Sequence, residues 1–134
     1  MSITVLIILI TVVTSWQGFN QPSFTHKYMF NAYQVAHKKE WYRMVTHGFL
    51  HADWGHLAFN MLSFYSFGES IENVFKGIFG ETLGIIYYLV LYFGAMIFSS
   101  VYSLAKHKNN SYYNALGASG AVSCLLYTSD AADE

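Results

Sequence analysis

The chain alternates between long apolar runs and polar connectors, and the runs predict helices. Ser2 to Phe19 carries no charge and is rich in Ile, Val, Leu and Thr. A membrane-crossing helix needs about 20 apolar residues, within a range of roughly 17–25. Residues 2–19 therefore predict a first span, with Trp16 at the interface. A secretory signal would instead call for a basic residue ahead of the apolar run and a small-x-small cleavage site. No Lys or Arg precedes this run, and Ser15-Trp16-Gln17-Gly18 is a poor cleavage site. Residues 54–71 predict a second span, with no Asp, Lys or Arg and a single Glu, Glu69, near the end. Glu72 to Glu81, with Gly77 and Gly80, reads as a short turn region. Residues 82–105 are uncharged throughout and predict a third span. After a polar break over Lys106–Asn110, a fourth apolar run opens at Ser111, passes through Gly117-Ala118-Ser119-Gly120 and stops near Leu126.

The connector over residues 20–53 is of another kind. It holds the only proline, Pro22, and four of the seven basic residues: Lys27, Lys38, Lys39 and Arg43. Aromatic residues are interleaved with them: Phe24, Tyr28, Phe30, Tyr33, Trp41 and Tyr42. The segment is too polar to span and too aromatic for a plain solvated linker. It predicts an ordered loop or short helices lying at the membrane surface. Composition agrees with a membrane protein, since only 11% of residues are charged, against about 25% in soluble domains. The net charge of −1 argues against a nucleic-acid partner, and no basic patch is expected to contradict that. The single cysteine, Cys124, excludes an internal disulfide.

Candidate chemistry sits in and beside these runs. His56 and Asn60 lie four apart on a predicted helix, so they share a face. Polar side chains in a bilayer are costly and face a partner or a wet cavity. Singly, each is more often a helix–helix hydrogen bond; together, near one end of a span, they suggest a polar site. Ser119 is the one hydroxyl in a tetrad of small residues and is the candidate nucleophile. Gly117 and Gly120 let backbones approach closely. Acyl transfer needs a nucleophile beside a base and donors aimed at the developing oxyanion. The Ser119 backbone N–H, the His56 ring and the Asn60 amide are candidate donors. His47 and His51, with His56 nearby, would suit zinc if the segment were helical. No HExxH pattern is present, and histidines at a loop-to-helix boundary are more often hydrogen-bonded structure. Neither a metal nor a cofactor is expected.

Several motifs then fall in one order: Trp41-Tyr42-Arg43, His47, His51, His56-x-x-x-Asn60, Gly68-x-x-x-Glu72 and Gly117-Ala118-Ser119-Gly120. Over roughly residues 1–123 the chain resembles the rhomboid family of intramembrane serine proteases. The resemblance implies an all-α membrane protein, a rhomboid-like helical bundle truncated to three full spans and part of a fourth out of six. It implies that Ser119 is the nucleophile at the outward end of the fourth helix, and that His56 and Asn60 help to form the oxyanion hole. Arg43 matches the arginine of the family's first-loop Trp-Arg motif, with Tyr42 where the family more often has Trp. Glu72 matches a glutamate that supports packing near the inner end of the second helix. The implied substrates are transmembrane proteins, cleaved without metal or cofactor by a multi-pass protein of the lipid bilayer, of a kind expected in a bacterial inner membrane.

The sequence also departs from that pattern. The family base is a histidine on the sixth helix, but all six histidines here precede Ser119. The chain as it stands is thus expected to be inactive, its full-length parent active. Residues 124–134 resemble the translation of a transposon-end sequencing adapter rather than any rhomboid continuation, which makes them an expected artefactual tail. The implied orientation puts Lys27, Lys38, Lys39, Arg43, Lys106 and Lys108 outside and Lys76 alone inside, against the positive-inside tendency. A rhomboid-like pseudoprotease that binds transmembrane clients without cutting is the alternative function.

Overall fold

The computed structural model describes residues 1–118, 120 and 122. Three long helices dominate: α1 (Ile3–Asn20), α5 (Trp54–Phe79) and α6 (Glu81–His107). Between the first two lie short helices α2 (Pro22–Tyr28), α3 (Ala32–Lys38) and α4 (Arg43–Thr46), then a 3-10 turn at His47–Phe49. Two-residue strands β1 (Phe30–Asn31) and β2 (Asn114–Ala115) pair antiparallel, Phe30 opposite Ala115 and Asn31 opposite Asn114.

Local chemistry sets the helix ends. Ser2 caps α1 by accepting from the Val5 N–H, and Asp53 caps α5 by accepting from the His56 N–H at 2.8 Å. Pro22 occupies the first position of α2, where its missing N–H costs nothing. Lys39 closes α3 in the left-handed region, with φ of 57°.

Long helices cover the first three apolar runs, with two differences from the reading above. The first is that α5 does not stop at Ile71 but continues to Phe79, through the stretch read above as a turn. Lys76 reaches back one turn to Glu72 at 2.9 Å, so the two charges neutralise each other on the helix. The chain turns only at Gly80, whose φ is 86°. The second is that the fourth apolar run does not begin as a helix. The Asn31 side chain donates to the Ser111 carbonyl at 3.0 Å and the Asn114 side chain at 2.9 Å, and these bonds hold a turn at Ser111–Tyr112 and the strand Asn114–Ala115 against the connector. Among the described residues, helical bonding in this run enters with the Val122 N–H donating to the Ala118 carbonyl at 2.9 Å.

The buried face of α1 is Thr4, Ile7, Thr11, Ser15 and Gly18, while Leu6, Leu9, Ile10, Val13 and Trp16 are exposed. A water-soluble helix does the reverse. Small and hydroxyl residues inside with large apolar residues outside is the arrangement of helices that pack in lipid. On α6 large apolar residues also face outward, Leu83, Ile86, Val90, Phe98 and Val101, although its buried face carries Tyr88, Tyr92 and Met96 beside Gly84 and Ser100. By length and apolar character α1 and α6 are sufficient to cross a membrane. Where the buried faces meet, Ile7, Leu57, Met61, Phe64, Ile71, Tyr88, Tyr92 and Met96 form the core, with Ala118 and Val122 joining from the tetrad segment. A methyl group on Gly68 would lie 2.8 Å from both Thr4 Cγ2 and the Tyr88 hydroxyl, so a glycine there lets α1, α5 and α6 close on one another.

A candidate active site at the start of the second long helix

The first turn of α5 carries His56, half-buried, and the next carries Asn60, buried on the same side. The His56 Nδ1 accepts a long, 3.4 Å hydrogen bond from the Ala52 N–H, which leaves the ring proton on Nε2. That Nε2–H edge faces Gly117: a methyl group there would lie 2.7 Å from His56 Cε1 and 3.2 Å from Nε2. Gly117 has φ of 113°, in the region that only glycine adopts without strain. The Asn60 amide donates one hydrogen to the His56 carbonyl at 2.9 Å and retains a second.

Two further histidines hold the Gly117 segment in place. The Gly117 N–H donates to the His47 carbonyl at 2.9 Å, and the Ala118 N–H to His51 Nε2 at 3.4 Å. Both rings are oriented from behind by serines. Ser15 on α1 gives its proton to the Phe49 carbonyl at 3.0 Å, so it accepts from His51 Nδ1–H at 3.1 Å. Ser100 on α6 gives its proton to the Met96 carbonyl, so it accepts from His47 Nε2–H at 2.8 Å. The His51 and His56 rings meet edge to face at 5.0 Å. All three long helices thus converge on Gly117-Ala118. Gly120 packs against Ser99 of α6. An open cleft of about 440 Å³ lies alongside, lined in part by Phe19, Pro22, His26, His51, Trp54 and Leu116.

Of the other candidate residues, Arg43 and Glu72 lie apart from this point. Ser119 itself, Ser123 and the stretch 124–134 fall outside the described residues. Arg43 ties the connector together: it pairs with Glu40 at 2.7 Å and donates to the His26 and Met29 carbonyls, both at 2.8 Å. Glu72 is buried near the far end of α5. Its carboxylate accepts from the Thr4 N–H at 2.8 Å and the Thr4 hydroxyl at 2.9 Å, and Thr4 in turn accepts from Tyr88 at 2.7 Å. Sequence reasoning passed over Ser15, Ser100, Thr4 and Tyr88. The available signal was the recurrence of hydroxyls every three or four positions along apolar helices. Among the described residues no group of three or more His, Cys, Asp or Glu side chains is placed to hold a metal ion.

Burial pushes the His47 and His51 imidazoles down to about 4, from an ordinary value of 6.5. His51 is lowered further by its neighbour His56. Both rings are therefore neutral in the fold, as their single-donor roles require. Below about pH 6.5 the unfolded chain takes up protons that the fold refuses, so stability falls as pH drops toward 4. By pH 4 the loss is on the order of 3 kcal/mol per histidine. Thermal unfolding in detergent is expected to show a falling midpoint between about pH 6.5 and 5, a window above carboxylate titration. A midpoint unchanged across that window would contradict the neutral-ring assignment.

Residues 38–129 match the family profile described as a rhomboid domain. The chain is also 28% identical over 130 residues to RHOMBOID-like protein 12, mitochondrial, of Arabidopsis thaliana, an alignment covering 86% of this chain and 36% of that protein. It therefore spans little more than a third of the length of this relative. No solved structure matches it. The matched segment contains Arg43, His56, Asn60, Glu72 and the whole Gly117–Gly120 tetrad, and runs on past Ser123. The outward-facing apolar residues of α1 and α6 fit an integral membrane protein. The profile covers well over half of the sequence, and the chain belongs to the rhomboid family.

Proposed function

We propose that this chain is part of a rhomboid-type intramembrane serine endopeptidase whose nucleophile is Ser119. The observation that carries the proposal is the close approach of the Cε1–Nε2 edge of His56 to Gly117, two residues before that serine. A donor in this position, fixed by the α5 cap and by its own Nδ1 bond, suits a negative charge developing on a carbonyl oxygen. The spare hydrogen of the Asn60 amide and the Ser119 backbone N–H would complete the donor set. The base of the dyad would be a histidine carried by the parent protein outside this sequence. Substrates are transmembrane segments of other proteins, and the cleft beside His51 and Trp54 gives an unwound segment room to approach.

The test is made on the full-length parent, purified and folded in detergent. Wild type is expected to react with a fluorophosphonate probe and to cleave a transmembrane substrate, and Ser119→Ala to do neither. His56→Ala is expected to slow cleavage by about 10²–10³ while leaving Ser119 in place. If a folded parent binds transmembrane clients but neither reacts nor cleaves, the protein is a pseudoprotease and the catalytic reading is wrong.

A further inference from the structure

No run of basic residues stands in the sequence, yet the fold gathers one. Helix α3 packs against α6, and their C-terminal ends are joined where His37 Nε2 meets the Asn109 side-chain oxygen at 3.1 Å. The exit from α6 is held by the His107 ring, stacked 3.7 Å from Tyr113, which itself packs on Phe30, Ala32 and Val35. Lys38 and Lys39 stand on one side of this junction and Lys106 and Lys108 on the other, all exposed. Each helix C-terminus carries a partial charge of about −0.5, so four ammonium groups far exceed what two helix ends absorb. Among the described residues no carboxylate pairs with them. Glu40, the nearest in sequence, is held by Arg43 at 2.7 Å, and Asp53 caps α5. Glu69, Glu72 and Glu81 lie toward the opposite ends of α5 and α6.

We infer that this patch, Lys38, Lys39, Lys106 and Lys108, binds the phosphate headgroups of anionic phospholipids. What selects lipid over an acidic peptide is the surface leading to it. Phe98, Tyr102 and Lys106 follow at four-residue intervals on one exposed face of α6. Phe98 is 80% exposed and Tyr102 71%, and the Lys106 ammonium lies 5.8 Å from the Tyr102 ring. That order, apolar then aromatic then basic, is the order of a bilayer read from its core to its headgroups. Helix α6 is roughly 40 Å long at 1.5 Å per residue against a hydrocarbon core of about 30 Å, so its end stands at headgroup depth. Trp41 and Tyr112, two residues after Lys39 and four after Lys108, are both exposed. The patch also accounts for the concentration of base at the Gly117 end, which opposes the usual topology bias: the lysines are a lipid contact rather than a topology signal.

Lysines near an anionic surface each contribute about a fivefold preference. The full chain would be placed in nanodiscs of phosphatidylcholine and phosphatidylglycerol in equal amounts, released, and weighed by native mass spectrometry. Wild type is expected to retain phosphatidylglycerol over phosphatidylcholine by roughly tenfold or more, and the preference should shrink as salt rises. The variant K38Q/K39Q/K106Q/K108Q is expected to lose the preference while unfolding at the wild-type temperature, and K27Q to keep it. Equal retention by wild type, or a preference that survives the fourfold change, overturns the inference. So does displacement of lipid by inorganic phosphate beyond that by chloride of equal ionic strength, which would mark a free-anion site. Tight binding of a soluble glutamate-rich peptide without any lipid preference would assign the patch to acidic polypeptide instead. None of these readouts depends on proteolysis, so the inference stands or falls apart from the catalytic proposal.

Discussion

Replacing Glu72 by alanine is expected to destabilise the helical bundle by about 3–5 kcal/mol, the usual cost of stripping one partner from a buried charged network. Glu72 is 1% exposed and joins three helices. One carboxylate oxygen takes both the backbone N–H and the hydroxyl of Thr4 on α1. The other takes the Ile3 N–H at 3.3 Å and the Lys76 ammonium at 2.9 Å. Two of these donors belong to the first turn of α1, where backbone N–H groups have no partner within the helix. Removing the carboxylate therefore leaves both the α1 end and the Thr4–Tyr88 contact unsupported inside the protein, where each orphaned group costs about 1–3 kcal/mol. In thermal unfolding of the detergent-solubilised chain the midpoint should fall on the order of 10–20 °C. Glu72→Gln should fall in between. It keeps an oxygen for Thr4 but turns an amide donor toward Lys76 and the Ile3 N–H. A Glu72→Ala midpoint within about 2 °C of wild type would mean that the three helices are held together by packing alone.

What the sequence discloses and what it conceals divide along the range of the forces involved. The three long helices are legible because their apolar character is a property of each run by itself. The His56–Asn60 pair is legible because helical spacing places both on one side, and the fold puts them there. The end of α5 is misread because Glu72 and Lys76 look like surface residues until they are seen to neutralise each other and to reach Thr4. The strand pairing of Phe30–Asn31 with Asn114–Ala115 is invisible locally, since two residues have no period and the partner lies far along the chain. The roles of Ser15 and Ser100 are hidden for a related reason. In lipid the buried face of a helix is the small and polar one, so a reading that seeks large apolar residues inside looks at the wrong side of α1. Motif order finds the family, but only contacts reveal that His47 and His51 hold the Gly117 segment.

Gly117→Ala is expected to be the most damaging single-methyl change near the site, and its effect should exceed what stability alone predicts. Two costs arise from one methyl group. The backbone at φ of 113° is strained for any residue with a Cβ, a penalty of about 1–3 kcal/mol. The methyl would also sit 2.7 Å from His56 Cε1, a distance that real Cβ atoms do not tolerate, so the ring must turn away. His56 cannot turn freely, because its Nδ1 is bonded to Ala52 and its own backbone is fixed by the Asp53 cap. The alternative, displacement of Gly117, breaks its bond to the His47 carbonyl and loosens the segment leading to Ser119. On the proposed mechanism, His56 and Ser119 would then lose their registration, and a misplaced oxyanion donor costs about 10²–10³ in rate. In the full-length parent, fluorophosphonate labelling and substrate cleavage should both fall by at least that order, with a thermal midpoint lowered by only several degrees. The double variant Gly117→Ala, His56→Ala separates the two costs. Removing the ring relieves the contact but not the φ strain, so stability should recover in part while activity does not. Wild-type labelling by Gly117→Ala would show that the His56 edge has no part in the chemistry.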